Sequence, residues 1–294
     1  MGLQPLRDIV LQTDPLPAAS SGAKALQLWY AYASDVADAE TEAACAALLN
    51  DAERARAARF RFARHRREYL ASHALARNAL SHVHPLPLYA WNYSVNAYGK
   101  PTPIPECGLR FNQSNSVELA VCLVACHGTE TDTEVGPEVG IDVEAFSRSE
   151  EIVPLAPKVF SLAEQAQLNA LPAAERPHRA LSLWTLKEAY IKARGMGLSL
   201  PLRGISFLFG EPQGIRFEGD ADVDDDPARW RFCLLDRFEH RIALGVEVLS
   251  SNFKIPSLEI FEARPPFAAP TRLPSGPETW FPLLAAASRS HAVG

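Results

Sequence analysis

The spacing of apolar and polar residues divides the first part of the chain into a strand, a helical stretch and further strands. Residues 26–33 form a short apolar and aromatic run, which is typical of a buried strand. Residues 41–82 contain neither glycine nor proline and are rich in alanine and arginine, which predicts helix in one piece or two. Strand-like runs follow near residues 89–95 and 119–126.

The same order recurs in the second part of the chain. Residues 139–144 predict a strand, and residues 155–171 and 177–194 predict two helices, the second of which ends at Gly195 and Gly197. Further strands are predicted near residues 205–209, 230–235 and 241–249. No residue-level repeat accompanies this doubled order, so it indicates only that two lobes of α+β type share a topology.

The two ends of the chain depart from this pattern. Residues 1–24 predict an irregular leader that lacks the apolar core of a secretory signal. Residues 251–294 contain seven prolines, which predicts an irregular, extended tail because proline disrupts both helix and sheet. The expected organisation is therefore the leader, an amino-terminal lobe at 25–137, a carboxy-terminal lobe at 138–250 and the tail.

Composition excludes several classes of protein. The 294 residues are 47% hydrophobic, and 29 Lys and Arg against 35 Asp and Glu leave a formal net charge of −6. That sign is opposite to the one expected of a general binder of nucleic acid or anionic membranes, and no apolar run predicts a transmembrane helix. Five cysteines without a Cys-x-x-Cys pair predict buried, reduced thiols. We therefore expect a cytoplasmic protein.

Two acidic residues in the predicted strand at 139–144 are candidates for chemistry. Because side chains alternate along a strand, Asp142 and Glu144 share one face while Ile141 and Val143 point into the core. Two carboxylates on one face repel each other unless a cation or a proton lies between them. The alternative interpretation is an exposed strand face with two solvated acids.

The helix predicted at 177–194 carries a second set of polar residues. Glu188 and Lys192 are four residues apart and share a helix face, and Trp184 lies one turn before Glu188. They could form a surface ion pair. If Glu188 instead lies beside Asp142 and Glu144, the three carboxylates form an all-oxygen site of the kind that suits Mg²⁺, with Lys192 close to any bound phosphate.

A basic stretch and two short polar motifs could bind an anion. Residues 51–67 contain seven arginines against two acids, which is typical either of a solvated helix face or of a phosphate anchor. The sequence YGKP at 98–101 predicts a turn that presents Lys100, and FNQSNS at 111–116 offers Ser and Asn donors. The aspartates at 220–226 resemble a calcium loop, but Asp225 and Arg231 stand where glycine and glutamate are required, so a polar hairpin loop is expected.

The motifs GIDVE at 140–144 and WTLKEAYIKARGMG at 184–197, supported by YGKP and FNQSNS upstream, resemble those of the 4′-phosphopantetheinyl transferase superfamily in its Sfp-like branch. The similarity runs from about residue 26 to residue 249. It implies a pseudodimer of two α+β lobes, each a small, mainly antiparallel sheet packed against helices, with coenzyme A bound between them. The implied reaction is transfer of the 4′-phosphopantetheine arm to a serine of an acyl or peptidyl carrier protein, with release of adenosine 3′,5′-bisphosphate.

The resemblance also assigns roles to residues at the reacting phosphates. Asp142, Glu144 and Glu188 would hold Mg²⁺ against the pyrophosphate of coenzyme A. Lys192 would contact the pyrophosphate, and Glu188 would act as the general base, directly or through a metal-bound water. A monomer is expected, because one chain already holds both lobes.

Other residues would bind the nucleotide phosphates. Lys100 and Ser114 would touch them, and Arg56 with Arg66 or Arg67 would help to bind the 3′-phosphate. Asn115 departs from the family, which usually has a histidine that contacts this phosphate. Asparagine donates hydrogen bonds but carries no positive charge, so we expect weaker binding of coenzyme A, compensation by nearby arginines, or a donor such as dephospho-coenzyme A.

Two other functions remain open at the level of the sequence. One is a Mg²⁺-dependent hydrolase of coenzyme A or another nucleotide pyrophosphate that uses the same carboxylates. The other is a catalytically idle protein that binds coenzyme A or the carrier, an interpretation prompted by Asn115.

Overall fold

The computed structural model describes residues 25–125, 136–210, 214–220, 222–248, 257–267, 271–273 and 280–281. The leader predicted at 1–24 lies outside the described residues, as does most of the loop expected between Gly128 and Gly136. No helix within the described ranges is both long enough and apolar enough to cross a membrane.

In the first half of the chain, the described residues form five strands and three α-helices. These are β1 (Ala25–Tyr32), α1 (Ala39–Ala47), α2 (Asp51–Ala58), α3 (Ala63–Val83), β2 (Asn92–Val95), β3 (Pro101–Ile104), β4 (Arg110–Ser116) and β5 (Leu119–Ala125). The helical stretch predicted at 41–82 is therefore in three pieces. A capping box starts α2, where Asn50 accepts from the backbone of Glu53 and Glu53 accepts from the backbone of Asn50.

The second half of the chain begins with a strand and a run of helices. Its elements are β6 (Val139–Ala145), α4 (Ser149–Ile152), α5 (Ala156–Val159), α6 (Leu162–Ala170), α7 (Arg176–Arg194), β7 (Ile205–Gly210), β8 (Gly214–Gly219), β9 (Trp230–Arg237) and β10 (His240–Glu247). The helix predicted at 155–171 is interrupted because Ser161 caps α6 in a second capping box with Glu164. As predicted, α7 ends at Gly195, whose φ of +60° favours glycine.

The prediction of an irregular tail is wrong for part of residues 251–294. Three strands lie there: β11 (Ser257–Glu262), β12 (Thr271–Leu273) and β13 (Trp280–Phe281). The segment of β11 is free of proline, so its backbone can pair, and it lies parallel to β1 with Leu258 beside Leu26. Leu258 and Ile260 are buried, so β11 is part of the core.

Two main sheets lie back to back between two long helices. The first has the strand order β12-β11-β1-β5-β4, and the second has the order β13-β9-β10-β6. One apolar core separates the sheets, a second lies between the first sheet and α3, and a third lies between the second sheet and α7. β1 shows the consequence: Leu28 faces the other sheet while Trp29 faces α3, so this largely apolar strand is buried on both sides.

The edge strands β4 and β6 lie close together and are joined by side chains. The backbone N–H of Ile141 donates to Asn112 Oδ1 at 3.0 Å. Farther along the same two strands, Ser114 Oγ donates to Asp142 Oδ1 and Ser116 Oγ donates to Glu144 Oε2, each at 2.9 Å. This junction brings the motif FNQSNS of the first half onto the motif GIDVE of the second half.

Candidate active site

The two acids of β6 point away from the core between the sheets, as their alternation predicts. Ile141 and Val143 lie in that core, while Asp142 and Glu144 face α7 and β4. Asp142 is only 4% exposed and Glu144 only 8%. The alternative of two solvated acids on an exposed strand face is therefore wrong.

A close contact at Gly140 places α7 over these acids. A Cβ at Gly140 would lie 2.0 Å from the backbone oxygen of Ala189 and 2.5 Å from the backbone nitrogen of Ala193. Only glycine lets a helix backbone approach the strand so closely. The approach is what brings Glu188 and Lys192, on the same helix, within reach of Asp142.

Lys192 pairs with Asp142 of β6 rather than with a residue of its own helix. Lys192 Nζ lies 2.6 Å from Asp142 Oδ1 and donates to Ser114 Oγ at 2.8 Å. Ser114 in turn donates to Asp142, so the three side chains form a closed set of hydrogen bonds. Ser114 thus positions Asp142 and Lys192, and its contact with a phosphate stays a prediction.

Glu144 is held by hydrogen bonds from three directions. Its Oε1 accepts from Trp184 Nε1 at 3.2 Å, and its Oε2 accepts from Ser116 Oγ at 2.9 Å and from Arg148 Nη1 at 2.7 Å. Burial and the nearby charge of Asp142 raise the pKa of the Glu144 carboxyl, and these three donors oppose that rise. Arg148 lies outside the sequence motifs, and the pairing of Trp184 with Glu144 is not evident from its place in the motif at 184–197.

Glu188 is the most perturbed carboxyl of the group. Burial, followed by repulsion from Asp142, raises its pKa to about 7, while the charge of Lys192 lowers it and that of Glu144 raises it. Among the described residues no hydrogen-bond donor engages its carboxylate. A carboxyl with a pKa near neutrality, in a cavity wall, is suited to accept a proton.

The three carboxylates are not gathered around one point. Within the described residues no set of three His, Cys, Asp or Glu side chains forms a group that could hold a metal ion. Lys192 occupies Asp142 Oδ1, and Arg148 occupies Glu144 Oε2. Asp142 Oδ2, however, is buried without a partner, and an orphaned carboxylate oxygen beside two further acids is chemically suited to a hard cation such as Mg²⁺.

A large cavity opens over this site between the two halves of the chain. Its volume is about 800 Å³, within the usual range for small-molecule sites. Glu188 and Lys192 line it from α7, and Asn115 lines it from β4. The opposite wall is formed by α3 with four residues spaced four apart, namely His65, Tyr69, His73 and Arg77.

These four residues of α3 were not among the sequence-based candidates, although their spacing of four places them on one helix face. The rings of Tyr69 and His73 stack at 3.8 Å, and burial lowers the pKa of His73 to about 4, so the imidazole is neutral near pH 7. Arg77 pairs with Glu53 at 2.5 Å and lies 5.0 Å above the ring of Tyr93. The wall is therefore aromatic, with its buried charge neutralised.

The three arginines predicted to bind the 3′-phosphate do not lie together in the structure. Arg56 lines the cavity and lies over the ring of Tyr69 at 5.5 Å, whereas Arg66 forms an ion pair with Glu42 on α1. Arg67 Nε is buried without a hydrogen-bond partner. Of the three arginines, Arg56 is thus the one placed at the cavity.

Lys100 joins the turn after β2 to the second half of the chain. Its ammonium group contacts the carboxylate of Glu138 and the backbone oxygen of Ala193. Burial lowers the pKa of Lys100, and Glu138 opposes that change. The same turn is fixed by Asn96, which donates to the backbone oxygen of Gly195 at 2.7 Å. Contact of Lys100 with a phosphate stays a prediction.

The acidic stretch at 220–226 fastens a loop to α7. Asp225 Oδ2 accepts from Tyr190 Oη at 2.7 Å and from Trp230 Nε1 at 2.6 Å, and it pairs with Arg194 at 2.6 Å. Asp225 therefore has a structural role, which the expectation of a plain polar hairpin loop did not include.

Comparisons with known proteins point to one family. Residues 138–245 match the model of the 4′-phosphopantetheinyl transferase superfamily. The chain is 32% identical over 157 residues to the 4′-phosphopantetheinyl transferase HetI of a Nostoc species, an alignment that covers 52% of this chain and 62% of HetI. It is 31% identical over 138 residues to the transferase Sfp of Bacillus subtilis, covering 47% of this chain and 56% of Sfp.

A third relative and a solved structure each align with less than half of this chain. The transferase AcpT of Escherichia coli is 34% identical over 130 residues, covering 44% of this chain and 58% of AcpT. A holo-(acyl-carrier-protein) synthase of Bacillus anthracis, solved in complex with CoA (3′,5′-ADP), aligns with a TM-score of 0.32 and 16% identity over 38% of this chain and 96% of that chain. The chain thus spans less than two thirds of the length of these curated relatives.

The family match covers both segments on which the resemblance was based. It begins just before GIDVE and extends beyond WTLKEAYIKARGMG, the two motifs that the structure packs against each other. The resemblance to the 4′-phosphopantetheinyl transferase superfamily is therefore confirmed over residues 138–245 of this chain.

Proposed function

We propose that this protein transfers the 4′-phosphopantetheine arm of coenzyme A to a serine of an acyl or peptidyl carrier protein, in a Mg²⁺-dependent reaction that releases adenosine 3′,5′-bisphosphate. The observation that carries the proposal is the packing of α7 on β6 at Gly140. It sets Lys192 2.6 Å from Asp142 and places Glu188 and Lys192 in the wall of a cavity of about 800 Å³.

The roles at the reacting phosphates follow from charge and reach. Lys192 offers an ammonium group at the cavity wall, where it can bind the pyrophosphate once it turns from Asp142. Glu188 accepts the proton of the carrier serine, a role that its place in the cavity wall favours. Asp142, Glu144 and Glu188 would hold Mg²⁺, which when bound supplies positive charge to the departing phosphate.

The rest of the cavity suits the remainder of coenzyme A. The stacked rings of Tyr69 and His73 offer a flat apolar wall, and Arg56 and Asn115 offer donors for the 3′-phosphate. Tyr93 and Gln113 also line the cavity, and Tyr93 Oη and Gln113 Oε1 are buried without a hydrogen-bond partner among the described residues. Unpaired buried polar atoms are costly, which favours a polar ligand that satisfies them.

We also propose that the two halves form a pseudodimer and that the protein acts as a monomer in the cytoplasm. The support is the doubled order of sheet and long helix, with α3 packed on the first sheet and α7 on the second. The cavity draws its walls from both halves, so one chain supplies a whole site.

Mass spectrometry of a carrier protein tests the proposal. The protein is incubated with coenzyme A, Mg²⁺ and an apo carrier, and the intact mass of the carrier is measured. A gain of one phosphopantetheine supports transfer, and a Glu188→Gln variant should then be at least about 10²-fold slower because it removes the base. Cleavage of coenzyme A with an unmodified carrier would indicate a hydrolase, and retention of intact coenzyme A would indicate an idle binding protein.

A further inference from the structure

Arg148 is a cation next to the proposed metal site that neither motif contains. It lies in the short 3₁₀ turn at Phe146–Arg148 that follows β6. Arg148 Nη1 lies 2.7 Å from Glu144 Oε2, and Arg148 Nε lies 3.2 Å from Glu151 Oε2. The arginine therefore bridges a buried acid of the site and an acid on α4.

The pairing with Arg148 limits what else Glu144 can bind. A carboxylate oxygen has two lone pairs, and those of Oε2 are taken by Ser116 and Arg148. Trp184 takes one lone pair of Oε1. The guanidinium also places a positive charge where a divalent cation would have to approach, so the two cations repel each other.

Glu151 gives Arg148 a second place to pair. The side chain of Glu144 is 11% exposed, that of Glu151 is 64% exposed, and that of Arg148 is 40% exposed. Arg148 can thus leave Glu144 without being left unpaired, because its Nε is already bonded to Glu151. It also lines a cavity of about 420 Å³ with Arg64 and His65, which gives the side chain room to move.

We infer that Arg148 competes with the divalent cation for Glu144 and shifts onto Glu151 when the cation binds. This inference rests on the proposed function, since it assumes that the carboxylates of β6 bind Mg²⁺. Arg148 then acts as an internal counter-ion that keeps Glu144 paired in the metal-free protein.

Competition for one carboxylate has a reciprocal consequence. Removing Arg148 should tighten cation binding, and removing Glu151 should weaken it, because the released arginine would lose its alternative partner. Coupling between two such sites typically changes an affinity by about 5- to 150-fold, so at least about a fivefold gain is expected for Arg148→Gln. Because the Arg148–Glu151 pair is exposed, Glu151→Gln should weaken binding by less, up to about fivefold. No transferase turnover is needed to see either effect.

The experiment measures Mn²⁺ binding to the full chain by electron paramagnetic resonance of the free ion, with calorimetry using Mg²⁺ alongside. The variants are Arg148→Gln, Glu151→Gln and the double variant. Arg272→Gln is the matched control, because Arg272 is half-exposed and pairs with Glu259 at 2.6 Å on the first sheet, and the variant loses the same charge.

Tighter binding in Arg148→Gln, weaker binding in Glu151→Gln and no effect of Glu151→Gln once Arg148 is gone would support the inference. If the wild type binds Mn²⁺ and Arg148→Gln binds it equally or less tightly, the competition is disproved while the metal site stands. If no variant, Arg148→Gln included, binds Mn²⁺, both the metal site and the competition are disproved.

Discussion

At the scale of single residues, Glu188 is the described carboxyl whose protonation the fold changes most clearly. Its pKa of about 7 lies well above the ordinary value of 4.5, chiefly because burial and the charge of Asp142 oppose ionisation. Folding therefore favours the protonated acid. At low pH the protonated carboxyl of Glu188 therefore adds to the free energy of unfolding. That contribution is lost as the pH rises toward and past 7.

This linkage predicts a pH-dependent effect of Glu188→Gln on stability. In EDTA, the variant should gain free energy of unfolding relative to wild type between pH 5 and pH 8, by about 2–3 kcal/mol. The reason is that glutamine never has to ionise. Urea unfolding at several pH values measures the difference, and a stability difference that does not vary with pH would contradict the raised pKa of Glu188.

Asn115 allows a second prediction at this scale. It is exposed and lines the cavity, so a histidine there could reach a phosphate without disturbing the core. Asn115→His should bind coenzyme A about 3- to 10-fold more tightly at pH 6, and less so at pH 8, because a charged donor forms the stronger hydrogen bond. Calorimetry with coenzyme A and dephospho-coenzyme A measures both affinities.

Asn115→Gln serves as the control, since it lengthens the side chain without adding charge. Equal gains for the two ligands would show that the 3′-phosphate does not lie beside residue 115. No gain with coenzyme A would contradict the view that the loss of a charged histidine at residue 115 weakens its binding.

Periodicity predicted which residues of the site share a face, but it could not predict their partners. Alternation placed Asp142 and Glu144 together on β6, and a spacing of four placed Glu188 with Lys192 on α7. The ion pair between Lys192 and Asp142 joins two elements through residues that are 50 positions apart in the sequence. Such a contact depends on tertiary packing, which a local pattern does not contain.

At the scale of elements, Gly140 sets how closely α7 lies on β6. Gly140→Ala should lower the free energy of unfolding by about 1–3 kcal/mol, the usual cost of forcing extra volume into a packed contact. The added Cβ would overlap the backbone of Ala189, which cannot turn aside as a side chain can. Urea unfolding measures the loss.

Gly245 provides a matched control for this change. It is paired with Gly140 across β10 and β6, but a Cβ there would meet the ring of Phe232 at 3.0 Å, and a ring can shift. Gly245→Ala should therefore cost less than Gly140→Ala. The opposite order would show that the approach of α7 does not depend on Gly140.

Element boundaries were the part of the fold that sequence patterns predicted least well. Residues 41–82 predict helix in one piece or two, yet the structure has three helices there, because the capping box at Asn50 and the non-helical residues 59–62 divide the stretch. Caps compete with helix continuation locally, and their outcome depends on which backbone groups the tertiary structure leaves unpaired. The sequence predicts possible ligands at 111–116 but not the strand β4. The reason is that the polar side chains of this strand bond to β6 and are not exposed to water as the alternation of a half-buried strand would suggest.

At the scale of the whole molecule, the last part of the chain joins both sheets. β11 extends the first sheet beside β1, and β13 extends the second beside β9. Phe261 of β11 stacks on Trp29 of β1 with ring centroids 4.5 Å apart. The sequence did not predict these strands, because the prediction used the number of prolines over 251–294. That number does not show that the segment forming β11 is free of proline.

Two deletions of different length test how far the fold depends on the strands contributed by residues 251–294. Removing residues 251–294 should destabilise the protein strongly, because it uncovers the edge of β1 and the apolar surface that Leu258, Ile260 and Phe261 bury. Removing only residues 268–294 keeps β11 and should cost far less. Thermal unfolding and light scattering distinguish the two chains, since an uncovered strand edge also promotes aggregation. Equal stability of both deletions would show that β11 contributes nothing to the core. The first sheet would then be stable with β1 as its edge strand.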